Sequence, residues 1–491
     1  MTTKNTNKKL AGKYSCIFLF VDIWKILSVF IEKVIFFIII IVMNKNETIV
    51  AVSTGTSSGA ISIVRMSGAN AISIADKLFL SNKNDVPSNF QPRLLTLGKI
   101  STSKFEEQAM CAVFKSPKSY TGEDMVEFQC HGGTQIASGI MRACIENGAR
   151  VATNGEFTKR AFINGKTTLS SAEGMMDMIN AESDAEIRAG YNLLSGSLSK
   201  LAKHTQEVLT DILSEIEVSF DYPEETIEYI TKAKIKERLI ELSKEIDKVL
   251  STATAGKYIK SGINVLILGK PNVGKSSLLN VLLDKERAIV TDVAGTTRDT
   301  IEDTFLLGDT KINLIDTAGI HSAADKVEKI GIEKAKQLIN KADVILFLVD
   351  LSSSYVEDDE KIYKLIKSKK FIVVKTKSDL KKTLNKTFEN EIEISTKTGK
   401  GIDKLKNKIL EFANLSNIPA GSIIITNERH KDALTRTSND ISKAIDGIEN
   451  ETLDLVSINI KQAYLDVGEI TGTTTSEDII DQIFKKFCLG K

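Results

Sequence analysis

GKPNVGKSS (269–277) is the stretch of this chain whose residue types and spacing prescribe chemistry most directly. Gly269, Gly274, Lys275 and Ser276 match a phosphate-binding loop, with the apolar run NVLIL before it and LLNVLL behind it, the strand–loop–helix context such a loop needs. Glycines let the backbone amides around Asn272, Val273, Gly274 and Ser277 wrap phosphates at a positive helix N-terminus. Lys275 would reach the β- and γ-phosphates and Ser276 would ligate Mg²⁺. Further stretches make the base guanine. TKSD (Thr376, Lys377, Ser378, Asp379) ends an apolar run, which places the Asp379 carboxylate to accept from guanine N1–H and its 2-amino group, a donor pair that adenine lacks. Lys377 would lie along the ring. In STKTG, the backbone of Ser395, Thr396 and Lys397 could meet O6. Thr376 stands where an Asn is usual, and its hydroxyl can replace only part of an amide's bonding.

DTAG (Asp316, Thr317, Ala318, Gly319) adds an outer Mg²⁺ ligand and an amide near the γ-phosphate. Ile320 follows, where a water-positioning glutamine often sits, and its side chain can neither donate nor accept a hydrogen bond. Some other group must orient the attacking water. TDVAGTTRDT supplies Thr291, Asp292, Val293, Ala294, Gly295, Thr296 and Thr297 as a loop rich in carbonyl oxygens, with Thr297 a candidate Mg²⁺ ligand. Asn272 adds a side-chain oxygen beside the phosphates. Such oxygens suit a monovalent cation standing where an arginine finger would put its charge, and they equally suit an asparagine that only caps its own loop.

The elements that position these residues can be read from pattern. From residue 48 to about 155, short β-like runs alternate with loops and the helical TQIASGIMRACIENGA follows the last run, which predicts a compact α/β domain. Ser170 and Glu173 have capping-box spacing, and helix-period segments run on to about 255. There Ile235, Leu239, Leu242, Ile246 and Val249 form one apolar stripe. NVLILG, INLID, VILFLVD, FIVVKT and EIEIS then alternate with helical stretches, the signature of a mostly parallel sheet. Residues 427–491 return to helix and are too few for a core of their own, so they are expected to pack on the helices of 167–255. The fold class expected is multidomain α/β plus α, with a Ras-like P-loop domain inserted into a helical domain. The boundaries read 43–165, 166–261, 262–414 and 415–491, after an unmatched extension over 1–42.

Lys+Arg of 65 against Asp+Glu of 64 excludes a global basic field, so any nucleic-acid contact must be a local patch. Five cysteines without paired spacing argue against a disulfide framework or zinc site and for a reducing cytosol. Residues 15–42 are apolar, but Asp22, Lys25, Glu32 and Lys33 break them below the ~20 residues of a spanning helix, and MNKNETIVAVST from Met43 is a credible domain start. An over-extended start is therefore favoured over an anchor. No stable membrane association is expected, and the expected location is cytoplasmic.

Taken together, SYTGEDMVEFQCHGG (119–133), NGEFTKRAF (154–162), the phosphate loop, TDVAGTTRD, DTAGI followed by KVEKIGIEKA, and the terminal FCLGK resemble the MnmE (TrmE) tRNA-modification GTPases across essentially all of 43–491. That resemblance implies a potassium-activated GTPase whose G domains pair during hydrolysis. Asn272, Thr291, Val293 and Thr296 would hold K⁺, and Ser276 and Thr297 Mg²⁺. Glu328 would orient the water, although from its surroundings alone it reads as a solvated helix charge. The amino-terminal domain is similar to a homodimer-forming, tetrahydrofolate-binding domain. Arg65, Glu127, Lys166 and Lys491 match positions that hold a 5-formyl or 5,10-methylene tetrahydrofolate derivative. Cys488 is open between one-carbon chemistry and packing. HGG reads as a tight turn supported by His131. The implied partners are tRNA and an MnmG (GidA)-type FAD protein. Together they would build an aminomethyl or carboxymethylaminomethyl group at C5 of the wobble uridine. Two rivals are a ribosome-assembly GTPase of the Era type, which should carry an RNA-binding module after its G domain, and a membrane transport GTPase, which should carry several clean spans.

Overall fold

One-sided cover explains most of the alternation along the amino-terminal strands: residues facing the main helices are buried, and the other face is largely open except where Phe157 covers Ile49 and Ala51. The computed structural model describes residues 47–55, 59–221, 232–284, 301–315, 336–412 and 422–490. These fall into two units, Met1–Thr167 with Glu477–Lys491, and Thr168–Ser476.

In the first unit, β1 (Ile49–Val52), β2 (Ile61–Ser67), β3 (Phe79–Ser81), β4 (Thr96–Ser101), β5 (Glu106–Phe114), β6 (Met125–His131) and β7 (Arg150–Val151) form a seven-stranded sheet ordered β3-β4-β5-β6-β2-β1-β7. All pairs are antiparallel except β1–β7. Helices α1 (Ala71–Leu78) and α2 (Thr134–Glu146) put Ile74 and Ile140 against Val64, Met66, Val126 and Phe128. Phe157 of α3 (Glu156–Ile163) packs with Ile49 and Ala51 of β1.

In the second unit, α4 (Leu169–Ile179), α5 (Asp184–Leu194), α6 (Ser197–Asp221), α7 (Lys232–Leu250) and α8 (Ala253–Ser261) precede a second sheet. That sheet has six strands in the order β13-β12-β11-β8-β10-β9. They are β8 (Ile263–Leu268), β9 (Ile301–Leu307), β10 (Thr310–Ile315), β11 (Val344–Asp350), β12 (Phe371–Thr376) and β13 (Glu391–Glu393). Only β9 runs antiparallel. Apolar clusters cover both faces, so strands such as VILFLVD are buried at every residue. Helices α9 (Lys275–Asp284), α10 (Glu357–Ile366) and α11 (Ile402–Phe412) accompany this sheet, as does a helical stretch over 336–341 that contributes Leu338 and Ile339. The chain then enters α12 (Glu428–Asn450) and α13 (Leu453–Thr471), and α14 (Glu477–Phe484) belongs again to the first unit.

The helical core combines residues on both sides of the sheet in sequence. Leu209, Ile212, Leu239 and Ile246 share one cluster with Leu434, Ile441, Ile460 and Val467. The stripe expected on α7 is buried at all five positions. The two passages between helices and sheet cross closely. A Cβ at Gly256 would lie 1.9 Å from the Ile425 carbonyl oxygen, so only glycine lets α8 approach that backbone.

Two expectations are corrected. Thr168, not Ser170, caps α4: its backbone is extended and its hydroxyl accepts from the Ser171 amide. Ser170 lies inside the helix, its hydroxyl 2.8 Å from that of Ser199, and Glu173 has a buried ionic role instead. The chain's end also departs from the expected packing on 167–255. Residues from Glu477 belong to the amino-terminal unit, because Phe484 and Phe487 bury their rings at α3, where Phe484 meets Phe162 at 6.0 Å.

Candidate functional site

Strands β8, β10, β11 and β12 are parallel and in register, so their carboxyl ends share one edge, where ligands of such sheets bind. Between β8 and α9 the loop 269–274 turns through left-handed backbone at Asn272 (φ +60°) and Gly274 (φ +104°). Gly274 takes that conformation without the strain a side chain would bring. The Lys275 ammonium donates to the carbonyls of Gly269 (2.8 Å) and Lys270 (3.0 Å), and burial lowers its pKa. Asn272 and Ser276 are exposed at the same loop.

The stretch 376–379, expected to read the base, is tied to the loop 269–274 by its first residue. Thr376, 2% exposed, donates its hydroxyl to the Val273 carbonyl at 2.7 Å. A single hydroxyl proton thus couples the end of β12 to the loop. Asp379 is exposed, and its Oδ1 accepts from the buried Ser395 hydroxyl at 2.7 Å. That bond is the main reason its carboxyl lies below the usual range, and it leaves the group ionised and oriented to accept. Lys377, at φ +58°, sends its ammonium to Asp350 Oδ2 at 2.6 Å. Burial pushes the Asp350 carboxyl up, but Lys377 and the Ser352 hydroxyl and amide outweigh it and hold the group low.

In the amino-terminal unit the paired strands make Arg65 and Glu127 direct cross-strand neighbours, joined at 2.7 Å. The Arg65 guanidinium lies 5.6 Å from the Tyr120 ring and 5.8 Å from Phe157. Lys166 donates to the Pro117 carbonyl at 3.0 Å, and Asn164 to that of Thr121 at 2.8 Å, so one loop carries Tyr120 and is held by the segment after α3. Behind it Arg160 bridges Glu123 (3.0 Å) and Glu156 (3.1 Å), and Arg150 meets Glu156 at 2.7 Å. Burial raises the Glu156 carboxyl, but Arg150 and the Thr153 amide prevail and bring it to about 2. At the chain's end Ser53 donates to the Gly490 carbonyl at 3.2 Å.

Two family models match this chain. The MnmE helical domain matches residues 169–488, and the GTP-binding protein TrmE N-terminus matches 48–166. The tRNA modification GTPase MnmE of Alkaliphilus oremlandii is 41% identical over 461 residues, which is 91% of this chain and 100% of that protein. The protein of the same name in Clostridioides difficile is 40% identical over 456 residues, 91% of this chain and 99% of that one. The chain belongs to the MnmE family. Among solved structures, Aquifex aeolicus Era bound to GDP·AlF4⁻ is 30% identical and covers 36% of this chain and 66% of that one. Its TM-score of 0.24 is too low to bear on the fold of the whole chain.

Several residues expected at MnmE-type sites lie outside the described residues: the 291–297 loop, Asp316, Thr317, Ala318, Gly319, Ile320, Glu328 and Lys491, as does the apolar stretch of 1–42. Cys488 is exposed, and its carbonyl accepts from the Gly155 amide at 3.4 Å. His131 does not brace a turn. Its ring is 70% exposed and its Nδ1 pairs with Glu107, because it ends β6 on the open face. No described helix is long and apolar enough to cross a membrane. Sequence reasoning missed Asp350, Lys270 and Glu173. Asp350 ends a buried strand level with Thr376, a signal that was available. Lys270 pairs with the fully buried Asp359 at 3.1 Å, far away in sequence. Glu173 is buried against Arg429 and His430 of α12, which no local pattern announces.

Proposed function

We propose that this chain is a GTP hydrolase acting in tRNA modification, with guanine read at the carboxyl edge of the six-stranded sheet. The observation that carries it is the pair of ties at that edge. Thr376 joins the base-reading strand to the phosphate loop, and Ser395 presents the Asp379 carboxylate toward solvent. An ionised, oriented carboxylate accepts from both N1–H and the 2-amino group, and only guanine offers that pair among the common purines. Lys275 would exchange its two carbonyl partners for phosphate oxygens.

Ser276 and Asn272 are oxygen-bearing and exposed beside this loop, a donor set that fits hard cations. Ser276 with Thr297 would hold Mg²⁺, and Asn272 with Thr291, Val293 and Thr296 would hold K⁺. Bound there, K⁺ supplies positive charge beside the phosphates in place of an arginine finger. Glu328 is the residue we assign to orienting water, since Ile320 cannot do it.

The amino-terminal site fits a folate by its chemistry. Glu127 would take the amino and N3–H edge of a pterin, with the Tyr120 ring alongside, while Arg65, Lys166 and Lys491 would hold carboxylate or formyl oxygens. The bound folate supplies a one-carbon unit. In our reading that unit is added, with an MnmG-type FAD protein, as an aminomethyl or carboxymethylaminomethyl group at C5 of the wobble uridine of tRNA. The protein would work as a cytoplasmic homodimer, with a G domain over 262–414 inserted into the helical domain.

The test is GTP turnover in KCl against NaCl, for the wild-type chain and Glu328→Ala. Turnover should be faster in KCl by an order of magnitude or more, and the substitution should lower it by about 10²–10⁴-fold while leaving GDP affinity unchanged. Equal rates in both salts and an unaffected variant would overturn the hydrolytic mechanism. Calorimetry of the full chain with 5-formyl-tetrahydrofolate, with and without Glu127→Ala, tests the folate site separately.

A further inference from the structure

The hairpin formed by β9 and β10 runs between the two ends of the six-stranded sheet. Its strand β9 begins shortly after Thr297, and β10 leads directly into Asp316, so its roots are the two stretches read as sensing the γ-phosphate. Pairing of β10 with β8 sends its other end to where β8 begins, away from the phosphate loop. At ~3.3 Å per residue, the six residues of β10 span roughly 20 Å.

At that far end the hairpin meets the helices through complementary charges. Lys311 pairs with Glu182, just before α5, and Asp309 pairs with Arg188 of α5 at 2.7 Å. The hairpin presents one anion and one cation, and the helical side presents the matching cation and anion, so the fit is specific in register. Behind the tip the hairpin is stiff. Buried Asn313 donates to the Ser261 carbonyl at 2.7 Å and to Asn264 Oδ1 at 3.2 Å, and accepts from Thr304 at 3.3 Å, tying β10 to the end of α8, to β8 and to β9.

The covalent passages between helices and sheet are held differently. Gly256 is pressed against Ile425, the Ile425 amide donates to the Thr252 hydroxyl at 3.2 Å, and Asp177 takes both Lys260 (2.8 Å) and Thr426 (3.3 Å). These contacts make a fixed pivot. Of the hairpin pairs, Arg188–Asp309 is open to water, its side chains 63% and 53% exposed, and such an exposed pair is weak enough to be made and broken, whereas Lys311 and Glu182 are half-buried and hold the tip in register.

We propose that the β9–β10 hairpin is a coupling arm, and that Asp309, Lys311, Glu182 and Arg188 are positioning residues that transmit the state of the bound nucleotide to α5 and back. The inference rests on the nucleotide reading above. Coupling of this kind is reciprocal: whatever nucleotide does to α5, restraint at α5 does to nucleotide preference.

The test uses the full chain, amide hydrogen exchange of the Asp184–Leu194 segment, and fluorescent GDP and a non-hydrolysable GTP analogue as probes. In the wild type, exchange over α5 should differ between the two nucleotides. Lys311→Glu and Glu182→Lys should each shrink that difference at least about threefold and narrow the affinity ratio of the two nucleotides. The combined swap should restore both, a recovery that a merely structural role would not give. GDP affinity should stay within about twofold throughout, because none of these residues touches the nucleotide edge. An undiminished difference in the single variants, no recovery in the swap, or no wild-type response at saturating nucleotide would overturn the coupling. Failure of either nucleotide to bind would instead remove the nucleotide reading, and the inference with it.

Discussion

Arg160 in the amino-terminal unit is boxed in by two carboxylates and the Glu47 carbonyl, whereas Asp379 at the edge of the six-stranded sheet stands in solvent with one hydroxyl behind it. Arg160 comes from a stretch that carries the family resemblance and Asp379 from the TKSD motif, yet the physics around them is opposite. Arg160 and Glu123 have side chains only 8% and 15% exposed, so their charges satisfy each other and can do little else. Their role is to fix the loop that carries Tyr120 and the start of α3, beside which Arg65 and Glu127 meet. Asp379 keeps its accepting oxygens for something outside the chain. A charged residue in a motif is therefore no guide to binding until its partners are known: Arg160 is spent on its neighbours, whereas the Asp379 carboxylate at the edge of the six-stranded sheet is left open to solvent.

Removing Arg160 tests the braced half and should give the largest effect. Arg160→Ala leaves Glu123 and Glu156 facing each other in a poorly hydrated place, and should cost about 3–5 kcal/mol in denaturant unfolding of the full chain. A loss below about 1 kcal/mol would mean that the network is well solvated and the contrast false. On the open half, Asp379→Asn should leave the unfolding free energy unchanged and lower GTP affinity about a hundredfold or more, since the amide's NH2 replaces an accepting oxygen and faces one of the two guanine donors. The same variant should gain affinity for XTP, whose C2 oxygen can accept from that amide. Competition binding against fluorescent GDP reads both changes.

Much of this arrangement was legible because it is periodic or local. Buried parallel strands announce themselves as apolar runs, and the α7 stripe recurs at helical spacing, so both were read where they lie. The strand β9 was not, because IEDTFLL mixes charge with apolar residues and only its pairing with β10 makes it a strand. The misplaced cap on α4 has a similar cause. Ser170 and Glu173 have the right spacing, but Thr168 has the right backbone, and Glu173 is claimed by Arg429 and His430 from the far side of the sheet in sequence. Aromatic Phe484 and Phe487 likewise find their partners more than half the chain upstream, at α3. Thr376 was read as a weakened guanine ligand, whereas its hydroxyl points to Val273, a bond that only the folded sheet brings about.

That tie predicts an intermediate effect. Thr376→Val keeps the shape but leaves the Val273 carbonyl without its buried donor, a change worth about 1–3 kcal/mol. Since the carbonyl belongs to the phosphate loop, guanine and xanthine nucleotides should both weaken, by about tenfold, while the preference for guanine stays. Nucleotide affinities that fall for guanine alone would place Thr376 at the base rather than behind the loop.

The smallest expected change concerns Ser395, whose hydroxyl orients the carboxylate and also accepts from the Thr398 amide at 3.2 Å. Ser395→Ala should weaken GDP binding by about threefold at neutral pH, because an exposed carboxylate remains ionised and merely loses its alignment. The pH dependence separates orientation from charge. Guanine binding needs the ionised form, so it is present above the pKa of Asp379 and fades as pH falls through it. The Ser395 hydroxyl holds that pKa below the ordinary carboxylate range. Without it the pKa rises toward its ordinary value, so affinity should begin to fall at a higher pH in the variant than in the wild type. Titration of fluorescent GDP affinity from neutral to acid pH measures the difference. Two curves that fall together would mean that the hydroxyl does not stabilise the charged form, and Asp379 would then be as free as any surface carboxylate.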